Sequence, residues 1–473
     1  MVFPLVFFDF YYDIADAKYL FFTIATLITS FLLLVCILIS VVKRETHEEI
    51  KIHTAAKWCV VWCMVNVISY LISEYKTIAL AGTDGRKFGL VTVLCITILF
   101  FVVQFSVISF NLICGMFTLT ACLVSCLGVI NSYGFDPIGF YEGVRPDLKM
   151  FYQTTIGHID ICATYYAIAF PIAAFSFIKS KELKRRVIYG MASLVIFAGM
   201  FACGCDSGYI NLGVTIVFLL IFANNIAEIN LTGTLVIAVM SLAKIMMYVN
   251  LKVPSAKEMD SIAIIFTDNR VFLTVIILVS AYLAICNITG KLMKKYLYVT
   301  AISVLAAVIC IAVYFSVFDI NKDIGSVSNL IRWNDKWGSY RGYIWRISLE
   351  NYCNLPIVNK LFGTGPDTLE PVLMVNYEKE MYSMFSAYYD NSHNELIQYL
   401  CVTGIFGLIT YAGIVVAVFI SGVKRCRENE SALPIYMGIV CYFIQSFVGI
   451  NQIMTTPLYF LCMAFISTEK NKK

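Results

Sequence analysis

Arg341, Ile344, Trp345, Ser348, Leu349 and Tyr352 recur at helical spacing and define one face of a helix that opens on an arginine. Laid in a membrane interface, such a helix would bury Trp345 and Leu349 and hold Arg341 at headgroup depth. The planar guanidinium donates paired hydrogen bonds to phosphate oxygens, so Arg341 is a candidate for holding a diphosphate. Snorkelling to lipid headgroups would use the same residue. Further on stands Asp390-Asn391-Ser392-His393-Asn394-Glu395-Leu396, directly before an apolar run. Ser392 with Glu395 three residues later fits a capping box, which predicts His393 at the first helical position. The positive end of a helix favours a neutral imidazole, able to accept a proton from a hydroxyl; a polar cap is the bland alternative.

Other reactive side chains point to little chemistry. The 17 cysteines lie almost entirely in apolar runs, and only Cys353 falls in the long polar stretch, so they read as small core residues rather than a disulfide framework. No spacing resembles a zinc site, and no structural metal or cofactor is expected. His47 and His53 share a basic connection, which leaves His158 and His393 on the opposite side.

The elements that must position these residues are membrane helices. The chain has 473 residues, 60% hydrophobic and 14% charged, with a mean hydropathy of +0.79. Soluble chains carry roughly 25% charged residues, so three soluble domains are excluded. The net charge of +4 gives no reason to expect nucleic acid. Uncharged runs occur at 19–42, 55–73, 90–110, 112–131, 159–178, 187–203, 209–223, 231–249, 271–289, 297–318, 393–421, 433–450 and 455–467. Lipid offers the backbone no hydrogen bonds, so each run predicts a helix. The expectation is an all-α polytopic membrane protein with about 12–14 spans and one large extracytoplasmic loop containing short amphipathic helices. It divides into an N-terminal bundle at 1–318, the loop at 319–392 and C-terminal spans with a short tail at 393–473.

Alternate connections hold Lys43/Arg44/Lys51/Lys57, Lys179/Lys181/Lys184/Arg185/Arg186, Lys291/Lys294/Lys295, Lys424/Arg425/Arg427 and Lys470/Lys472/Lys473, 18 of the 35 basic residues. The intervening ones hold fewer, mixed with Asp84, Asp136, Glu142, Asp147, Glu258 and Asp260. The basic set, with the C-terminus, is therefore expected on the cytoplasmic side. Residues 1–18 lack the basic start of a signal peptide, so the chain either begins outside or lacks a preceding helix. The loop holds three of the five tryptophans, Trp333, Trp337 and Trp345, beside many tyrosines. These suit sugar stacking or an interfacial belt.

Taken together, Trp337-Gly-Ser-Tyr-Arg341-Gly-Tyr-Ile-Trp345-Arg346, Phe362-Gly-Thr-Gly-Pro-Asp367, Ser392-His393-Asn394-Glu395-Leu396 and Gly404-Ile-Phe-Gly407 resemble the O-antigen ligase/polymerase superfamily. The motif-dense part is about 330–410, while the span pattern matches over most of the chain. The resemblance implies a GT-C-type glycosyltransferase at the outer face of the cytoplasmic membrane, working without a nucleotide sugar or metal. Its donor would be a glycan on undecaprenyl diphosphate, and its acceptor a hydroxyl of a second glycan or lipid. A flippase or a chain-length regulator would be its partners. Arg341 matches the arginine taken to bind the diphosphate, and His393 the histidine proposed to activate or organise the acceptor. Trp345, Arg346 and Asn394 flank them as substrate contacts.

Two further stretches match less well. Thr155-Ile-Gly157-His158-Ile-Asp160 stands where the family often has Gly-Thr-Phe-Gly-Asn-Pro-Asn, which would turn Asp160 to the cavity with Arg145 on the same side. At Cys205-Asp206-Ser207-Gly208 the usual Ser-Arg-Gly is absent; Asp206 precedes the serine, and Arg332, Arg346 or Arg270 would have to supply the missing arginine. The expected chemistry is inverting displacement at the anomeric carbon, polymerisation slightly preferred over ligation. A flippase is the rival from another class, but no internal repeat is evident and Lys244 is the clearest charge deep in a span. A peptidoglycan-type polymerase lacks its usual motifs here.

Overall fold

The structure is a computed structural model that describes residues 2–9, 11–42, 52–106, 108–257, 259, 261–319, 322, 328–386 and 388–468. Lys43, Arg44, His47, Lys51, Glu258, Asp260, Lys470, Lys472 and Lys473 lie outside the described residues. Every apolar run contains a helix. Eight described helices are long and apolar enough to cross a membrane, and four shorter apolar helices of 10–17 residues accompany them. The chain is an all-α, multi-pass membrane protein. Among the described residues the strands amount to one two-stranded pair, Tyr152–Gln153 with Gly157–His158.

The chain forms two compact units, residues 1–113, 345–439 and 446–473 in the first, and 114–344 and 440–445 in the second. The stretch 319–392 is shared between them.

In the first unit, Thr54–Ile72 packs against Leu90–Gln104 and against the long helix Glu395–Glu428. Trp62, fully buried, stacks on Phe460 at 5.4 Å and meets Tyr399 edge-on at 6.0 Å. The helix Glu395–Glu428 is interrupted at Gly404, where φ is +69°. Gly363, at φ +81°, approaches this interruption so closely that a Cβ there would stand 2.2 Å from the carbonyl carbon of Val402. A Cβ on Gly404 would stand 2.4 Å from the carbonyl carbon of Leu361. Left-handed backbone and absent side chains are what the two glycine motifs contribute. Gly365 N and Ser69 Oγ both donate to the carbonyl oxygen of Val402, exposed by the break, at 3.0 and 2.9 Å.

The run at 433–450 stops being helical after Gln445. Beyond it, polar side chains bind the backbone directly: Thr455 N donates to Gln452 Oε1, and Gln452 N to Thr456 Oγ1, each at 3.0 Å. Such local bonds compete with the helical ladder and end it.

In the second unit the helix Ile159–Lys179 lies deepest, with almost all of its residues buried, whereas Asn269–Thr289 buries only Cys286 and leaves its surface for lipid. Buried Ala163, Ala167, Ala169, Ala173 and Ala174 let neighbouring backbones come close. Lys179 pairs with Glu228 at 2.8 Å, closing one end of this helix onto Ile226–Asn250. Lys244, within that span, donates to the backbone carbonyl of Thr267.

Candidate functional site

Arg341 stands where the segment Trp337–Asn354 becomes properly helical, because Gly338, Ser339 and Tyr340 all have left-handed backbone. Three such residues turn the chain sharply and bring the carbonyl of Gly338 to 2.8 Å from Arg341 Nη1. Nη2 lies 3.6 Å from Asp160 Oδ1. Nε is buried without a hydrogen-bond partner, and the side chain is 17% exposed. The guanidinium therefore keeps donor capacity that the protein leaves unused.

Asp160 occupies the first turn of Ile159–Lys179, where a carboxylate complements the helix N-terminus. His158 caps that helix, its Nδ1 accepting from Asp160 N at 3.3 Å. The short hairpin before it is anchored by Gln153, whose Nε2 donates to the carbonyl of Ala202 at 3.0 Å. Lys257 donates to the neighbouring carbonyl of Cys203 at 2.7 Å. These ties bring the end of Leu183–Cys203 beside Asp160, so that Cys205 Sγ donates to Asp160 Oδ1 at 3.0 Å. Burial, reinforced by the Asp160 carboxylate and opposed by Arg341, pushes the Cys205 thiol up and keeps it a donor. Cys205 stands in the stretch where the resemblance would have put an arginine, and nothing in its type marked it beforehand.

His393 is in the left-handed region, with φ +50°. Its N–H donates to Asn391 Oδ1 at 2.8 Å, and its ring meets Tyr389 edge-on at 5.9 Å. The expected capping box does not form. Asn394, extended at φ −155°, is the N-cap and accepts from Leu396 N and Ile397 N at 3.0 and 3.2 Å. Ser392 instead donates to the carbonyl of Asn394 at 2.7 Å, while its N–H goes to Gln398 Oε1 at 3.1 Å. An N-cap needs extended backbone, which Asn394 has, so the helix begins at Glu395 and His393 precedes it. Glu395 is buried, with Tyr411 Oη donating to it at 3.4 Å and its N–H bound to the carbonyl of Ser446 at 2.9 Å.

The stripe on the Arg341 helix is also shifted. Tyr343, Ile344, Ile347, Ser348 and Asn351 are the buried face, whereas Leu349 is 39% exposed and Trp345 half-buried. Only Ile344 and Ser348 belong to both sets, because tertiary packing rather than the apolar pattern selects the inward face.

The remaining candidates are dispersed. Arg346 pairs with Glu350 at 3.3 Å and Glu380 at 3.7 Å. Arg332 binds Ser328 Oγ at 3.2 Å and the carbonyls of Asp319 and Lys322. Arg145 forms an exposed pair with Asp147 at 3.2 Å. Arg270 is exposed in the first turn of Asn269–Thr289. Asp206 opens the helix Asp206–Ile221 beside Cys205.

Arg86 is buried and engages Asp367 Oδ1 through Nε and Nη2 at 2.9 and 2.7 Å. Nη1 lies 2.8 Å from Asp390 Oδ2. Asp367 Oδ2 accepts from Thr83 N and Oγ1 at 2.8 and 3.0 Å. Burial alone would lower the Arg86 pKa, but Asp367 and Asp390 outweigh it and raise the pKa, so the charge is retained. The aspartate of Gly-Thr-Gly-Pro-Asp367 thus holds an arginine from a distant connection. A polar island, Thr83-Asp84-Gly85-Arg86-Lys87, between apolar runs was the available signal. Among the described residues no group of three or more His, Cys, Asp or Glu side chains is arranged to hold a metal.

No curated protein matches the chain. Residues 259–412 match the family model for O-Antigen ligase, a range that holds Arg341, Asp367, His393 and Gly404. Over that stretch, about a third of its length, this multi-pass membrane protein is similar to the O-antigen ligase family.

Proposed function

We propose that the chain transfers or polymerises glycan from an undecaprenyl-diphosphate-linked oligosaccharide onto an acceptor hydroxyl. The site would be at the outer face of the cytoplasmic membrane, with 319–392 as the extracytoplasmic loop, in the synthesis of cell-surface polysaccharide. The observation that carries this reading is the unsaturated guanidinium of Arg341. Arg86 is held by two carboxylates, and Arg332, though its Nε is also unpartnered, is bound by three oxygens of its own loop; Arg341 has one carbonyl bond, a carboxylate at 3.6 Å and a buried Nε without a partner.

In the proposed reaction the acceptor oxygen attacks the anomeric carbon, the bond from that carbon to the diphosphate breaks, and configuration inverts. The acceptor's proton goes to the His393 imidazole. The electron pair leaves with undecaprenyl diphosphate, whose growing charge Arg341 stabilises. Asp160 and the Cys205 thiol orient the guanidinium. Asn394 caps the helix behind His393, and no metal takes part. Polymerisation is preferred over single transfer.

The test supplies purified protein with a lipid-linked repeat unit and resolves the products on a gel. A ladder supports polymerisation, and a single new band requiring a second acceptor supports ligation. Removing one such donor typically costs on the order of 10²–10³ in turnover, and a general base contributes about 10²–10⁴. Arg341→Ala and His393→Ala should therefore each lower turnover at least about a hundredfold. Turnover within about threefold of wild type in either variant removes that residue's role. Undiminished lipid translocation without glycan transfer would favour the flippase instead.

A further inference from the structure

A cavity of about 280 Å³ in the first unit is lined by His53, Thr54, Ser421, Lys424, Arg425 and Ile420, among others. It lies where the helix Thr54–Ile72 begins and the helix Glu395–Glu428 ends. Its wall is preorganised. His53 Nδ1 accepts from Ala55 N at 3.3 Å, so Nε2 can carry the proton toward Ser421 Oγ at 3.2 Å. Ser421 in turn donates to the carbonyl of Ala417 at 2.7 Å.

Arg425 is the anomaly. Its side chain is only 12% exposed, yet its one ionic contact among the described residues is Glu428 at 3.6 Å. Its guanidinium donates no hydrogen bond to a described residue, and Glu428 is itself 45% exposed. A guanidinium with open donors in a partly enclosed cleft suits an anion. Lys424 adds positive charge, and the amino end of Thr54–Ile72 adds its partial charge. Ala417, Ile420 and Ile466 add apolar lining, Ser467 and Thr468 add hydroxyls, and Glu428 adds one carboxylate against the two cations. Ile420 is 67% exposed on a helix surface that lipid would cover.

We infer that this cavity binds the phosphate of a net-anionic phospholipid. Arg425 and Lys424 hold the phosphate oxygens, and the acyl chains follow the apolar surface at Ile420. The charge selects for an anionic headgroup, and the apolar lining selects for a lipid over a free ion. Neither Arg341 nor His393 lines this cavity, and the proposal does not depend on their proposed roles.

The experiment titrates the full-length protein in detergent with phosphatidylglycerol, phosphatidylcholine or inorganic phosphate, and counts bound lipid by native mass spectrometry. Phosphatidylglycerol should bind at least about tenfold more tightly than phosphatidylcholine, and Arg425→Gln should abolish that preference. Lys424→Gln, at an exposed position with little risk to folding, should weaken phosphatidylglycerol about threefold. Millimolar inorganic phosphate should not displace the lipid. Equal phosphatidylglycerol binding by wild type and by both folded variants overturns the proposal. Displacement by inorganic phosphate overturns the lipid assignment and leaves a free-anion site.

Discussion

Arg341 and Asp160 form an incomplete pair. At 3.6 Å the carboxylate orients the guanidinium without saturating it, and Cys205 supplies the carboxylate with its own donor at 3.0 Å. An arginine meant only to close a salt bridge would sit closer, as Arg86 does with Asp367 at 2.7 Å. Lysine keeps the charge but lacks the planar fork and cannot reproduce two parallel hydrogen bonds. Arg341→Lys should therefore recover less than about a tenth of the turnover lost in Arg341→Ala, measured with the same lipid-linked donor. Full recovery by lysine would mean that only a positive charge is needed. Before the fold is known, Arg341 is visible as an arginine heading an apolar stripe. Its partner Asp160 is far away in the chain, and their meeting depends on the hairpin that Gln153 pins to Ala202.

At the scale of elements, the connection after Ala81 is bolted to the turn after Gly365 by Arg86 and Asp367, both almost fully buried. Breaking a buried ion pair from one side typically costs about 3–5 kcal/mol, because the other charge stays buried. Arg86→Ala should lower the thermal midpoint in detergent markedly, and an unchanged midpoint would show the pair to be dispensable. Gly404→Ala should also destabilise, since the new Cβ would strike the Leu361–Phe362 backbone at 2.4–2.5 Å. Gly213→Ala, with nothing within 4 Å, is the neutral control.

Glu370, in the first turn of Leu369–Phe385, has its pKa raised by burial and by Asp390, against the pull of Arg86. Its folded form binds a proton more tightly than the unfolded chain does, so its contribution favours folding below the ordinary carboxylate pKa. That contribution is lost as pH rises through the raised value. Glu370→Gln should flatten the decline in melting temperature between mildly acidic and neutral pH, and a slope identical to wild type would contradict this.

For the whole molecule, the charge asymmetry of the connections predicts which ends face the cytoplasm. Cys353 is exposed in the long connection and is the cysteine suited to test this. A membrane-impermeant maleimide should label Cys353 in intact spheroplasts, with Cys353→Ser as the control. Labelling only after lysis would invert the topology proposed for the loop.

The sequence by itself determined that this is an all-α membrane protein and where its helices run, because long uncharged stretches have one backbone solution in lipid. It also marked Arg341 and His393, since an arginine on an apolar stripe and a histidine at a helix entrance stand out locally, whereas Asp160 was pointed to only by the family resemblance. Tertiary structure alone decided the start of the helix after His393. Ser392, Asn394 and Glu395 are all capping residue types, and the choice followed from bonds to Asn391 and Gln398. It alone decided which groups each arginine meets. Arg86, Arg332, Arg341 and Arg346 are equivalent as letters, and only the carboxylates and carbonyls that the fold brings to each of them distinguish a structural bolt from an open donor.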